Sequence, residues 1–437
     1  MKKEMTLLGL IAATFFMVSG GPYGLEDLIA QTGYGIGILI LCLVPFLWAL
    51  PTSLMVGELA SAIPDSGGFY VWVQRALGKF WGFQEAWLSL AASIFDMGIY
   101  PLLFVTYLGV LAPSLASGWR GSAIATALIG ACLLWNMRGA KAVGDGSVWM
   151  GALMCSPFVA LTAAGLWHAH RVPVSAPAHV PHAALMGGVL VAMWNFMGWD
   201  NASTIATEVE NPQRNYPRAM LWTLCAIIAA YILPVAAAWL FGVPLASWAT
   251  GSWAAIGGAV AGPLVRDAIV VGGMVSAAGM LNSLMMSYSR LPAALAQDGF
   301  LPRVFTKLNA ASVPLIALFA LGTVWAAALG FSFDRLVMLD ILLYGSSLVL
   351  EFVALAVLRW KEPDLPRPFM VPGGKAGAVA VGVFPAALLA LAAVYGDHHG
   401  IGIGLGMMAA GVAAWVGVRA WALLGKPKAS AAVAAGD

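Results

Sequence analysis

Five carboxylates stand where their neighbours are almost all apolar: Glu26 and Asp27, then Asp96, Asp200 and Glu351. The runs around them are long enough to cross a bilayer, and no lysine or arginine falls in the middle of any such run. An acid in hydrocarbon without a basic partner is costly, and by default it marks a proton relay or a cation site. The alternative for any one of them is a protonated side chain, or one near enough to a helix end to reach water. For the whole group, with nothing to neutralise it, a cationic guest is the better reading.

Two interruptions of the apolar pattern supply backbone to go with these acids. In the first run, Ser19-Gly20-Gly21-Pro22-Tyr23-Gly24 is followed at once by Leu25-Glu26-Asp27. Proline removes an amide donor and clashes with the preceding turn, and glycine adds nothing that holds a helix shut. The helix is expected to open at mid-depth, which a bilayer tolerates only where the backbone is buried in protein or lines a polar cavity. A simple kink would need only the proline. The second interruption, Trp194-Asn195-Phe196-Met197-Gly198-Trp199-Asp200-Asn201-Ala202-Ser203-Thr204, has one glycine and no proline and reads as the weaker break. Opened half-helices offer free amides to an anion and free carbonyls to a cation. The two acids after the first break favour an amine-bearing ligand. Tyr23, Tyr100, Trp194, Phe196 and Trp199 could present ring faces to an ammonium.

The elements that must position these residues are membrane helices. The chain has 437 residues, 61% of them hydrophobic and 10% charged, and a mean hydropathy of +0.86. Apolar runs predict about twelve spans, near 7–33, 35–62, 80–112, 120–138, 145–168, 183–210, 217–241, 265–291, 313–331, 335–359, 377–396 and 400–424. With an inside N-terminus, eighteen of the 22 basic residues, Arg290 and Arg359 among them, fall in inner loops. Only Arg120, Arg171, Arg266 and Arg335 fall outside. Both termini are therefore expected in the cytoplasm. Lys2 and Lys3 before an apolar run resemble a secretory leader, but the apolar character resumes past Gly24 and the interruption carries acids, so the segment is read as a retained span. Interrupted segments one and six, each followed by four further spans, match a five-plus-five inverted repeat by position.

Several stretches resemble the amino acid-polyamine-organocation transporters, in particular their polyamine:proton symporter branch. They are Val18-Ser19-Gly20-Gly21-Pro22-Tyr23-Gly24 with Glu26-Asp27, and Gly57-Glu58-Leu59-Ala60 through Pro64-Asp65-Ser66-Gly67-Gly68-Phe69-Tyr70-Val71-Trp72-Val73. Further along come Phe80-Trp81-Gly82-Phe83-Gln84-Glu85, Trp199-Asp200-Asn201-Ala202-Ser203-Thr204 through Glu208-Val209-Glu210-Asn211-Pro212-Gln213, and Arg367-Pro368-Phe369-Met370-Val371-Pro372. The resemblance implies an all-α membrane protein of the leucine-transporter fold. Its core would occupy 1–360 as an inverted repeat, roughly 7–168 and 183–359, with two peripheral spans and a tail in 361–437. It implies alternating access around Ser19, Gly20, Gly21 and Tyr23 of span one, Asp96 and Tyr100 of span three, Trp194, Asn195, Trp199 and Asp200 of span six, and Tyr344 of span ten. Glu208, with Asn211 and Pro212, would sit at the inner end of span six. Proton coupling would draw on Asp96, Glu26, Asp27, Asp200 or Glu208.

Departures from the family pattern sharpen these expectations. Met17 stands where several relatives have a polar or acidic residue, and Gly-Gly-Pro replaces the Gly-Ser-Gly type of break found in amino acid carriers. No lysine occurs between Gly146 and Trp167, where some members keep a proton-coupling lysine, so a carboxyl group must serve. Ser283 and Ser287, four apart, keep a sodium site open as a lesser option.

The remaining features exclude more than they add. Cys42, Cys132, Cys155 and Cys225 lie in apolar runs with no disulfide or metal spacing. His168, His170, His179, His182, His398 and His399 all fall in exterior loops without a closed ligand pattern. The scattered net charge of +2 forms no nucleic-acid stripe. No nucleophile with a paired base, nucleotide loop or cofactor motif is present, so an enzyme is disfavoured and no metal or cofactor is expected. What remains is an importer of a small organic cation such as putrescine or spermidine, coupled to protons. The alternative is a permease or exchanger of neutral or cationic amino acids. A channel is disfavoured because the repeat is complete within one chain.

Overall fold

Backbone in hydrocarbon must satisfy its own hydrogen bonds, and this chain does so with helices. The computed structural model describes residues 3–169, 180–329, 333–395 and 398–424, the side chains at 330–338, 395–400 and 421–424 excepted. In order the helices are α1 (Leu7–Val18), α2 (Glu26–Val44), α3 (Leu50–Ala62), α4 (Phe69–Leu77), α5 (Lys79–Leu111), α6 (Pro113–Ala116), α7 (Gly118–Asn136), α8 (Ala140–Trp167) and α9 (His182–Asn195). They continue with α10 (Pro212–Phe241), α11 (Trp253–Ala261), α12 (Pro263–Tyr288), α13 (Leu291–Gln297), α14 (Leu315–Ala327), α15 (Phe333–Lys361), α16 (Gly374–Tyr395) and α17 (His398–Leu424). Among the described residues there is no strand, only the isolated bridges Met5–Val209 and Ser66–Ile205. The expectations for Arg171, His170 and His179, and for the side chains of Arg335, His398 and His399, lie outside the described residues.

Among the described residues eight helical stretches are long and apolar enough to cross a membrane, where the sequence led to about twelve. The shortfall has identifiable causes. Span one is split, leaving Leu7–Val18 as a short apolar helix. Its second half runs on into the next span as one stretch, Glu26–Ala62. Within that stretch Gly33 has φ 73° and breaks the helical path, so residues 26–32 form a half-helix distinct from the longer helix that begins beyond Gly33. The segment expected over 183–210 is α-helical only to Asn195, and the 19-residue α7 opens on the weakly apolar Gly-Trp-Arg-Gly-Ser. Leu315–Ala327 is apolar but has only 13 residues.

The interior is built around α5, α12 and α15. α12 packs on both α5 and α8, and α15 packs on α5 and α16. Of the most apolar window, 78% is buried in Lys79–Leu111 and in Pro263–Gln297, against 17% in Gly374–Val394 and 11% in Ile401–Ala420. The last two helices therefore lie on the periphery and show most of their surface outward. α1 lies against α8, α10 and α12, which brings the first break to the middle of the bundle.

Candidate functional site

Both interruptions open the backbone, and the second opens it further. After α1 ends at Val18, Gly21 and Gly24 take φ 75° and 89°, a region that favours glycine, before α2 begins at Glu26. In the other segment Gly198 takes φ 98°, and the chain continues only as short 3-10 turns, Asp200–Thr204 and Ala206–Glu208, until α10 starts at Pro212. The expectation of a weaker second break is thus corrected. Asp, Asn, Ser and Thr compete with helix by bonding local backbone, as Thr204 Oγ1 does in donating to Asn201 O at 3.0 Å. The two breaks meet at Gly198, where a Cβ would stand 2.2 Å from the Met17 carbonyl oxygen. Only glycine allows that approach.

The groups freed by the breaks are largely taken up by the protein. Ser19 Oγ accepts from Gly21 N at 3.0 Å, and the Glu26 carboxylate accepts from Gly24 N at 2.7 Å. Gly20 O accepts from Ser276 Oγ at 2.6 Å, and Pro22 O from Trp253 Nε1 at 2.8 Å. Across the second break, Tyr231 donates to Asn195 O, Tyr216 to Ala202 O and Trp199 Nε1 to Phe196 O, at 2.6, 2.6 and 2.9 Å. Buried polar backbone must be paired, and here neighbouring side chains do the pairing.

Between the breaks lies a small cavity lined by buried residues. It is lined by Met17 and Val18 of α1, Asp96 and Tyr100 of α5, and Trp194, Asn195, Met197, Gly198 and Asn201 of the second broken segment. Met280, Leu284 and Tyr288 of α12 complete it with Asp340 and Tyr344 of α15. The space open to the centre of a water molecule is about 20 Å³, room for about one water. Asp96 accepts a short hydrogen bond from the Tyr100 hydroxyl, one turn away, and a second from Tyr288 at 3.4 Å. Tyr344 donates a short bond to Asp200 while its oxygen accepts from Gly198 N at 2.9 Å. Asp96, Asp200 and Asp340 are all buried, and among the described residues none forms an ion pair.

Five residues singled out in the sequence, Asp96, Tyr100, Trp194, Asn195 and Tyr344, therefore come together on this cavity. Others lie beside it. Gly20 and Gly21 are packed against α12 and α8; a Cβ on Gly20 would meet Met280 Sδ at 2.5 Å, and one on Gly21 would meet Met154 at 3.1 Å. Tyr23 points elsewhere, donating to Ile269 O at 2.7 Å with its ring edge-on to Tyr107 and Phe158. Trp199 is fully buried behind the break, and Phe196 packs on Tyr231. Asp200 does not line the cavity but is tied to it through Tyr344. Ser19 is buried in the break, and Glu26 holds Gly24 N and the Tyr107 hydroxyl, the latter at 3.1 Å. Asp27 accepts from Thr250, an exposed residue, at 2.9 Å. Ser283 faces Ser147 at 3.3 Å, and Ser287 donates to Asn201 at 2.8 Å, so both hydroxyls are engaged by protein.

Two of the basic residues assigned to inner loops are buried: Arg290, in the turn between α12 and α13, and Arg359, within α15. Arg290 is 3% exposed and pairs with Glu208 at 3.0 Å. Arg359 is 4% exposed and binds Glu58 at 2.5 Å; Glu58 also receives Arg367 at 3.2 Å and Val371 N at 2.7 Å. The Arg-Pro-Phe-Met-Val-Pro motif thus closes on α3. Glu208 is held by an arginine, unlike the cavity acids.

Sequence reasoning passed over Asp340, Tyr288 and Asn201. Asp340 carried a usable signal, since it stands one helical turn before Tyr344 and so shares its face. Tyr288 carried none, because a tyrosine near the basic end of an apolar helix reads as an interface anchor.

Comparison with known proteins places the chain in a family. A family model described as amino acid permease matches residues 8–416. The polyamine transporter RMV1 of Arabidopsis thaliana is 32% identical over 397 residues, covering 89% of this chain and 79% of that one. The polyamine transporter PUT1 of Oryza sativa subsp. japonica is 31% identical over 420 residues, 94% of this chain and 77% of its own. The branched-chain amino acid permease BcaP of Bacillus subtilis (strain 168) is 26% identical over 398 residues, 85% and 83% of the two chains.

Proposed function

The chain belongs to the amino acid permease family, within the amino acid-polyamine-organocation superfamily, and from that premise we propose that it imports a small organic cation bearing one or more ammonium groups. It is a multi-pass membrane transporter. The observation that carries the substrate reading is the pair Asp96 and Asp340, two buried carboxylates lining one small cavity with no basic residue among its lining. Two such acids suit a diamine or longer polyamine, whose charges they would neutralise one each, while Met17, Met197, Met280 and Leu284 would pack its methylenes. Relatives named as polyamine transporters support this choice.

The cavity is too small for such a ligand as it stands, which fits an occluded conformation of an alternating-access cycle. The fold we infer is the five-plus-five inverted repeat over 1–360 with α16 and α17 peripheral, both termini cytoplasmic, in the cell membrane. The Glu208–Arg290 pair would close the cytoplasmic side. Protons are the inferred driving ion, since carboxyl groups are the titratable groups at the centre.

The nearest rival is an amino acid carrier, favoured by the similarity to BcaP. Competition separates the two. Putrescine and spermidine should displace the ligand and protect purified protein from thermal unfolding. Protection by a free α-amino acid, with none by either polyamine, sinks the polyamine reading.

A further inference from the structure

Two turns beyond Tyr344, on the same face of α15, stands Glu351. It is fully buried, and neither of its carboxylate oxygens has a hydrogen-bond partner. Glu85 of α5 is equally buried; one oxygen is within 3.5 Å of Ser89 Oγ, and the Ser347 hydroxyl of α15 is a further hydrogen-bond partner of the carboxyl group. Glu351 interacts electrostatically with Glu85 and with Asp200, which is tied in turn to the cavity through Tyr344. Neither Glu85 nor Glu351 lines the cavity.

The other charged or titratable groups on helices packed against α15 have other partners or lie at the surface: on α5, Tyr100 binds Asp96, Tyr107 binds Glu26 and Lys79 is exposed at the helix start. Arg75 of α4 binds Glu362, Tyr70 of α4 donates to Asp298, and Glu58 of α3 holds Arg359 and Arg367. Lys375 of α16 lies over the Trp360 ring, Arg419 of α17 over Trp415, and His182 is exposed at the start of α9. Asp96 of α5 is held by two tyrosines.

Buried carboxyl oxygens without donors are stable only where a proton or cation joins them, and two anions cannot share one dry volume. A carboxyl proton needs no further ligands, so a proton is the cation that suits a carboxyl group whose oxygens have no donors. We propose that Glu85 and Glu351 form a proton store separate from the amine cavity and linked to it through Asp200 and Tyr344. In this arrangement the closed form keeps a proton on one of the two glutamates, and opening to water on the basic side releases it. The proposal rests on the transporter reading and assigns its coupling ion to a place.

The test uses the full chain in proteoliposomes with labelled putrescine, beside purified protein for thermal unfolding. E351Q and E85Q should still be protected from unfolding by putrescine and still exchange labelled for unlabelled putrescine. Accumulation driven by a pH gradient should fall at least tenfold in each. E351Q that accumulates putrescine like the unaltered protein, with the same pH profile, overturns the store. Should neither variant fold, the unaltered protein decides: a trapped pH dye must report protons moving with putrescine, and putrescine transport without them overturns the proposal. Unaltered protein protected by neither putrescine nor spermidine defeats the substrate reading itself, a result distinct from intact amine binding without coupling.

Discussion

Carboxylates at the centre of the molecule and carboxylates at its basic end are buried alike but keep opposite company. Asp96, Asp200 and Asp340 are 5%, 1% and 4% exposed and have tyrosine hydroxyls, backbone and each other as neighbours. Glu58 and Glu208 are 0% and 4% exposed and have arginine. Burial alone therefore does not tell a functional acid from an architectural one. The difference lies in the partner: a carboxylate already matched by a guanidinium has its charge neutralised inside the protein, whereas one matched only by hydroxyls leaves room for a cation from outside.

If that distinction holds, the largest loss of stability should come from the basic end. E58Q strands Arg359 and Arg367 together, and breaking a buried pair by removing one partner costs about 3–5 kcal/mol. A much lower melting temperature is expected, with amine protection retained in whatever folds. D96N or D340N should do the reverse, leaving the melting temperature of the empty protein near that of the parent or above it. Removing one member of a buried charge pair with the ligand costs about 2–5 kcal/mol, so putrescine affinity should drop by a factor of about 30 or more. An empty D96N protein that melts far below the parent would place Asp96 with the architectural acids.

Y344F sharpens the boundary between the two regions. It deletes the hydroxyl that bridges Gly198 N and Asp200, leaving a buried amide and a carboxylate each short of a partner, at a cost of about 1–3 kcal/mol. Both stability and putrescine affinity should fall, since this residue belongs to the scaffold and to the cavity at once.

The smallest effect is expected at the surface pair Arg75–Glu362, 2.6 Å apart but 41% and 31% exposed. The Arg75 hydrogen bond holds the Glu362 carboxyl below its ordinary value. Because that value is lowered in the folded state, the contribution is present above the ordinary carboxylate range. It disappears as pH falls through the lowered value. Solvent screening keeps it under about 1 kcal/mol, so R75M should shift the melting temperature slightly at pH 7 and less and less as the pH is lowered.

Much of the centre was legible because membrane constraints are severe. Gly20-Gly21-Pro22 could not continue a helix, and Asp96 with Tyr100 one turn later declared a shared face without any structure. Other features required contacts between distant segments. The second break proved the wider one only because tyrosines from α10 and α15 satisfy its backbone. Gly20 and Gly21 were singled out for a ligand, but Ser276, Met280 and Met154 occupy the space beside them. Arg290 and Arg359 counted as loop charges because a tally by position cannot see a partner folded over them.

Composition, apolar run length and the intolerance of hydrocarbon for unpaired backbone were enough to settle from the sequence a helical membrane protein with two opened segments and acids near them. Which acids remain unmatched was decided by tertiary structure alone. Neutralisation acts over a few ångströms, and residues as far apart in the chain as Glu58 and Arg359 reach that range only when the helices pack.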